Sequence, residues 1–273
     1  MNYITCDTVA LIGERGETNT PIALPLPLMP VMSDGEILSK FELDGLSVNR
    51  IDTQPFIVSV NPRTIDFALI SHDNLNIIGP KLTQCGGMII DMMRLPSMDA
   101  EEIDGMLVAL RSLLGQDKPF GFSNGVGRID YLHKTSAYHR ADMAISSIED
   151  GTGISEPASL PLIGRSNKAN LEDYYTESVI NLGFSANADD IVKFCAAGLK
   201  LVCCATPAED GSEINNWLNE IHLDLSTTLQ RIGLESIDSL SRQNLRALDH
   251  ETAAVSGLRL VGYERPLPHW FAR

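Results

Sequence analysis

The stretch Ala141–Pro157, reading ADMAISSIEDGTGISEP, constrains the fold more than any other part of the 273-residue chain. Met143–Ser147 has the length and apolarity of a strand buried on both faces, as in a parallel sheet covered by helices. The composition then changes abruptly to Glu149, Asp150, Gly151, Thr152 and Gly153, a set suited to a ligand-facing turn. Parallel α/β folds bind ligands at the carboxyl ends of their strands, so this order puts Asp150 and the two glycines at the expected place for a site. An ordinary tight turn has the same composition, because a short Gly-x-Gly is far less specific than a full nucleotide fingerprint.

Further strand-like runs recur along the chain at Phe56–Val60, Phe67–Ile70, Met88–Asp91, Pro119–Ser123, Val179–Gly183 and Leu199–Ala205. Only six residues separate the first two, and a parallel crossover ordinarily needs a dozen or more, so these two are not expected as consecutive barrel strands. Helical patterns alternate with the runs. The clearest starts at Asp99, with Glu102 three residues later, presents Ile103, Met106, Leu107, Leu110, Leu113 and Leu114 as one stripe, and stops at Gly115. Others cover Arg128–Arg140, Asp189–Ala197 and the stripe from Ile214 to Ile232. Ile154–Asn170 has prolines and no clear period, which predicts a loop folded over the strand ends as a lid. The alternation predicts α/β with a parallel sheet. Seven or eight strands in a chain of this length predict a single-domain (β/α)8, TIM-like barrel over residues 1–273 with a C-terminal helical tail.

The formal charge is −15 with a pI near 4.7, which repels phosphate backbones and anionic lipid, so neither nucleic acid nor a membrane is an expected partner. No stretch reaches the length of a membrane span, and the start of the chain does not read as a leader. Five scattered cysteines, Cys6, Cys85, Cys195, Cys203 and Cys204, carry no zinc or iron–sulfur spacing. The expectation is a cytoplasmic protein with reduced thiols, no metal, a small-molecule substrate, and a homo-oligomer or partner subunit as a possible assembly.

Set side by side, these stretches resemble the FMN-binding barrel of glutamate synthase and its relatives, in a divergent and shortened form. The similarity begins at Met32-Ser33-Asp34-Gly35-Glu36-Ile37-Leu38-Ser39, continues through Ser97–Leu110, and includes Gly125-Val126-Gly127 and Ala141-Asp142. Its strongest element is Ile145–Ser155, which resembles the family's I-S-G-x-D-G-G-T-G-A-S, and Leu234–Leu240 resembles the leucine-rich tail. The resemblance implies FMN as cofactor, with Met32, Ser33, Ser123, Gly151, Gly153, Gly183, Ser185 and Thr206 as flavin-binding positions. Departures accompany the matches. The family's phosphate-binding D-G-G-[LI]-R-T-G is represented by Asn181–Asn187, its lysine strand by Phe120-Gly121-Phe122-Ser123, and its cysteine cluster is absent. Loss of glycines weakens a backbone phosphate cradle, so FMN is expected to bind more weakly than in the intact family.

Asp150 and Glu149 are the candidate catalytic carboxylates, suited to holding a substrate ammonium or acting as acid and base. Asp150 keeps its place in the motif and Glu149 occupies a variable slot. His72, following Ile70-Ser71 at a strand end, is a third candidate as general acid or base. His133 and His139, six residues apart on one helical pattern, read as surface residues without a role. Two functions are consistent with these residues. One is an FMN-dependent oxidoreductase acting on a small amino-acid-like or imine substrate. The other is a flavin-free barrel that does non-redox chemistry or serves as a subunit of a larger complex.

Overall fold

A computed structural model describes residues 6–13, 28–31, 58–59, 67–148, 154–182, 186–199, 201–205 and 211–265. Its strands are β1 (Val9–Leu11), β2 (Leu28–Val31), β3 (Val58–Ser59), β4 (Phe67–Ile70), β5 (Gly87–Asp91), β6 (Phe120–Gly125), β7 (Met143–Ser147), β8 (Glu177–Asn181), β9 (Leu201–Ala205) and β10 (Leu245–Ala247). The helices are α1 (Leu75–Ile78), α2 (Ala100–Leu114), α3 (Ile129–Tyr138), α4 (Glu156–Asn170), α5 (Ala188–Ala196), α6 (Gly211–Arg231) and α7 (His250–Ser256).

Eight strands, β2 to β9, form one sheet, and every pairing in it is parallel. From β3 to β9 the sheet order is the chain order, and β2, the first strand, lies beside β9, the last. A sheet whose first and last strands pair has an order that runs in a ring. The junction of β2 with β3 is not among the described pairings. The five strands β5 to β9 are neighbours in the sequence-predicted order, although β8 begins and ends two residues earlier than Val179–Gly183.

Two expectations are corrected. β3 and β4 are parallel neighbours despite their short separation. β3 is only two residues long, and seven residues of chain can span up to about 25 Å, so the length of the link permits the parallel pairing. The second correction is the lid. Residues 156–170 form helix α4, packed against α3 and α7. Pro157 sits in its first turn, where the missing N–H has no intrahelical partner to lose, and Pro161 removes a single bond further in. Ile163 and Leu160 are buried, so tertiary packing outweighs a sequence with little helical period.

The sheet separates two apolar layers. Ile70, Met88, Ile90, Phe122 and Ala144 pack outward under α2, which buries Ile103, Leu107, Leu110 and Leu114; Leu113 of the predicted stripe is exposed. The Asp99 carboxylate accepts the Glu102 N–H at 2.9 Å, and the Asp99 N–H donates to the Glu102 carboxylate at 2.9 Å, completing the expected capping box. On the other face, Phe67, Ile89, Met143, Ile145, Val179 and Cys203 form a separate cluster, against which Leu69 packs. The motif residue Asp142 is structural: its carboxylate accepts the Phe120 N–H at 2.9 Å and fixes the start of the β6–β7 register.

Outside this sheet, β1 and β10 pair antiparallel and tie residues near both ends of the chain together. Buried Lys193 on α5 donates to the Cys6 carbonyl at 2.9 Å, and the Cys6 N–H donates to the Glu156 carboxylate at 2.8 Å. All five cysteines are buried, and none is in a disulfide. Among the described residues no helix is long and apolar enough to cross a membrane, and no group of three or more His, Cys, Asp or Glu is arranged to hold a metal.

Candidate functional site

In a parallel pair, residues in register point to the same side of the sheet. On the face away from the helices, Asp91, Ser123, Ile145 and Val179 make one row across β5 to β8. Nearer the carboxyl ends, Gly125, Ser147, Asn181 and Cys203 make the next, across β6 to β9. The rows below are closed. A Cβ on Gly87 would lie 2.3 Å from the Phe67 ring, and one on Gly121 would lie 2.7 Å from the Met143 carbonyl oxygen. Large side chains thus fill the space above these glycines and give the inner face an apolar floor. Above that floor Asp91, Ser123, Ser147 and Asn181 supply polar groups at the carboxyl edge.

Asp91 ends β5 and is buried. Its carboxylate accepts the Met93 N–H at 3.0 Å and lies 3.5 Å from the Arg94 guanidinium, whose side chain is largely exposed. Burial pushes the Asp91 carboxyl above its ordinary pKa, with the Met93 N–H and the Arg94 charge acting the other way and losing. Neither row contains a lysine or arginine. Sequence reasoning did not single out Asp91, Ser147 or Asn181, although period-two alternation back from the end of each strand would have put them on one face.

Of the sequence-predicted site residues, Ser123 lies in the lower polar row and is partly buried. His72 follows β4 at the same edge of the sheet; it is exposed, and its backbone N–H donates to the Arg94 carbonyl at 3.3 Å. Met32, Ser33, Glu149, Asp150, Gly151, Gly153, Gly183, Ser185 and Thr206 lie outside the described residues. Their positions in the chain are still informative. Met32 directly follows β2, Thr206 directly follows β9, and Gly183 and Glu149 come two residues after β8 and β7. Those four strands are adjacent in the order β2-β9-β8-β7, with β6 and its Ser123 next.

His133 and His139 are not surface residues, which corrects the expectation. His133 is fully buried with Nε2 3.2 Å from the Ser178 hydroxyl, and burial lowers its pKa to about 4. The His139 side chain is likewise enclosed, with Nδ1 3.0 Å from the Asp104 carboxylate. α3 packs against β6, β7 and α4 together, so its buried surface is wider than one stripe. Both histidines lie in the helix layer, away from the inner face.

No protein-family model matches the chain, and no curated protein does. Solved structures do match. A flavocytochrome b2 variant with sulfite bound aligns over 76% of this chain and 62% of its own, at 14% identity and a TM-score of 0.52. The recombinant flavin-binding domain of Baker's yeast flavocytochrome b2 aligns over 100% of this chain and 82% of its own, at 12% identity and a TM-score of 0.54. A soluble mutant of the membrane-associated (S)-mandelate dehydrogenase from Pseudomonas putida aligns over 88% and 87%, at 14% identity and a TM-score of 0.53. The chain therefore spans about three fifths of the first of these. At such identities the likeness is one of fold: an α/β architecture shared with flavin-binding barrels. None of these three is a glutamate synthase.

Proposed function

We propose that the chain is a (β/α)8 barrel that binds FMN at the carboxyl ends of its strands and acts as an FMN-dependent oxidoreductase. The observation that carries this reading is the polar set in the two inner rows, Asp91 and Ser123 in the lower and Ser147 and Asn181 in the upper, above an apolar floor at the end of the sheet where parallel α/β folds bind ligands. The fold likeness to flavin-binding barrels supports it. Gly183, Ser185 and Thr206 would hold the phosphate, Met32 and Ser33 would lie along the ring, and Ser123, Ser147 and Asn181 would offer hydrogen bonds to its polar edge, with Gly151 and Gly153 in the turn beside it. Hydride acceptance is the chemistry FMN supplies when bound.

This chain's own residues then position the substrate and handle its proton. Asp150 holds a substrate cation or takes a proton, Glu149 is dispensable, and Asp91 is a second proton carrier from the opposite side of the row. The apolar floor keeps water from beneath the reacting carbon. The substrate is a small acid bearing an amino or hydroxy group next to its carboxylate. The resemblance in sequence favours the amino or imine form, and mandelate, named for one structural neighbour, is a hydroxy acid. Anaerobic mixing of FMN-loaded protein with such acids tests the reading through bleaching of the visible flavin band. Asp150→Asn should slow bleaching about tenfold or more, the worth of one charged hydrogen bond, and Glu149→Gln much less. Equal rates in both variants and the parent would place the chemistry elsewhere. The flavin-free alternative has one observation in its favour, the lack of any cation in the two inner rows, where a flavin gains negative charge on reduction.

A further inference from the structure

A cavity of about 940 Å³ lies at the other end of the sheet, between the carboxyl-terminal half of α4, the turn from α5 to β9, and the segment around Ser241–Leu245. Glu177, the first residue of β8, borders it, so it opens at the amino-terminal edge and is separate from the inner rows. In a chain of formal charge −15, its wall carries Arg165, Lys168 and Arg242 against the carboxylates Glu172 and Glu177. A smaller neighbouring cavity of about 340 Å³ shares Arg242 and adds Arg246 and Arg259. Arg165 and Arg242 are close enough to repel, as are Arg246 and Arg259. Among the described residues no ion pair is formed by any of these five cations.

Such like charges gather at a cost unless an anion offsets them. The wall is also shaped to receive a body attached to that anion. Leu171 and Leu245 are buried beneath it, Tyr174 is about half exposed, and Tyr175 is fully exposed. The Arg242 guanidinium is held in place by donating to the Ser256 carbonyl at 2.7 Å, in the last turn of α7, which leaves its other N–H groups to bind. We propose that this cavity is a second ligand site that takes a phosphomonoester carrying a flat ring, the phosphate on Arg165, Lys168 and Arg242 and the ring against Tyr174 and Tyr175. Arginine forks match phosphate oxygens in pairs, and tyrosine faces accept a ring by stacking.

Calorimetric titration with phenyl phosphate and with inorganic phosphate tests the proposal. Arg165 and Lys168 are exposed on α4, so Arg165→Gln and Lys168→Gln keep the fold, which a thermal melt checks; Arg242 is left intact because it also caps α7. Phenyl phosphate should bind saturably at one site, at least tenfold more weakly in either variant and progressively more weakly with added salt. Tyr175→Ala should weaken phenyl phosphate and leave inorganic phosphate unchanged. Three results would overturn the proposal: no saturable binding up to roughly 10 mM, parent-like binding in both charge variants, or binding that Asn181→Leu on the inner face abolishes while Arg165→Gln does not.

Discussion

Asp91 shows how a single position is decided by what surrounds it. At the end of a strand, in a run of Met88-Ile89-Ile90-Asp91-Met92, it reads as the polar residue that opens a turn. Only the pairing of β5 with β6 puts it in a row with Ser123 over the inner floor, and pairing is a long-range property that no window of neighbours contains. His133 and His139 were unreadable for a related reason, since burial of a second helix face depends on which elements pack there. Because burial raises the Asp91 pKa above its unfolded value, the folded state binds this proton more tightly than the unfolded chain. The stability Asp91 permits is therefore full below its unfolded pKa, near 3.9, and is lost as pH rises through the folded value. Asp91→Asn removes that loss. Thermal melts of parent and variant from pH 4 to pH 7 should show the variant gaining on the parent as pH rises; a constant difference would mean that the carboxyl is not desolvated.

At the scale of elements, period and punctuation served well where packing agreed with them. The α2 capping box, the strand β7 and the order of β5 to β9 all follow from local signals that tertiary structure reinforces. They failed where packing overrode them, as in α4, whose prolines and weak period read as a loop, and in the β3–β4 link, where a length rule for full strands met a two-residue strand. The tie between chain start and helix layer was also invisible, because it depends on a backbone carbonyl. Lys193 anchors Cys6 through that carbonyl in a buried setting beside Asp190 and Glu156, both of whose carboxyl pKa values burial raises. Lys193→Met should destabilise the protein by about 2 to 3 kcal/mol, the worth of a charged hydrogen bond, and should speed amide exchange at Cys6–Leu11 before other regions. Uniform exchange across the chain, with an unchanged melting temperature, would show that the tie is not holding this segment.

For the whole molecule, the central claim is that a ring-ordered parallel sheet presents an FMN site at its carboxyl ends. Chain order, the pairing of the first strand with the last, and the predicted flavin positions Met32 and Thr206 directly after β2 and β9, with Gly183 two residues after β8, all bear on that edge. The reduced glycine content of Asn181–Asn187 sets the expected strength below that of an intact phosphate cradle. The most direct measurement is a titration of the purified protein with FMN, followed by quenching of flavin fluorescence, in the parent and in Asn181→Leu. The account predicts saturable binding in which the inner face takes one FMN per chain with a dissociation constant in the micromolar range, about −8 kcal/mol, and in which that site is at least tenfold weaker in the variant. Flavin emission that rises in proportion to added FMN through roughly 100 μM, in parent and variant alike, would contradict it.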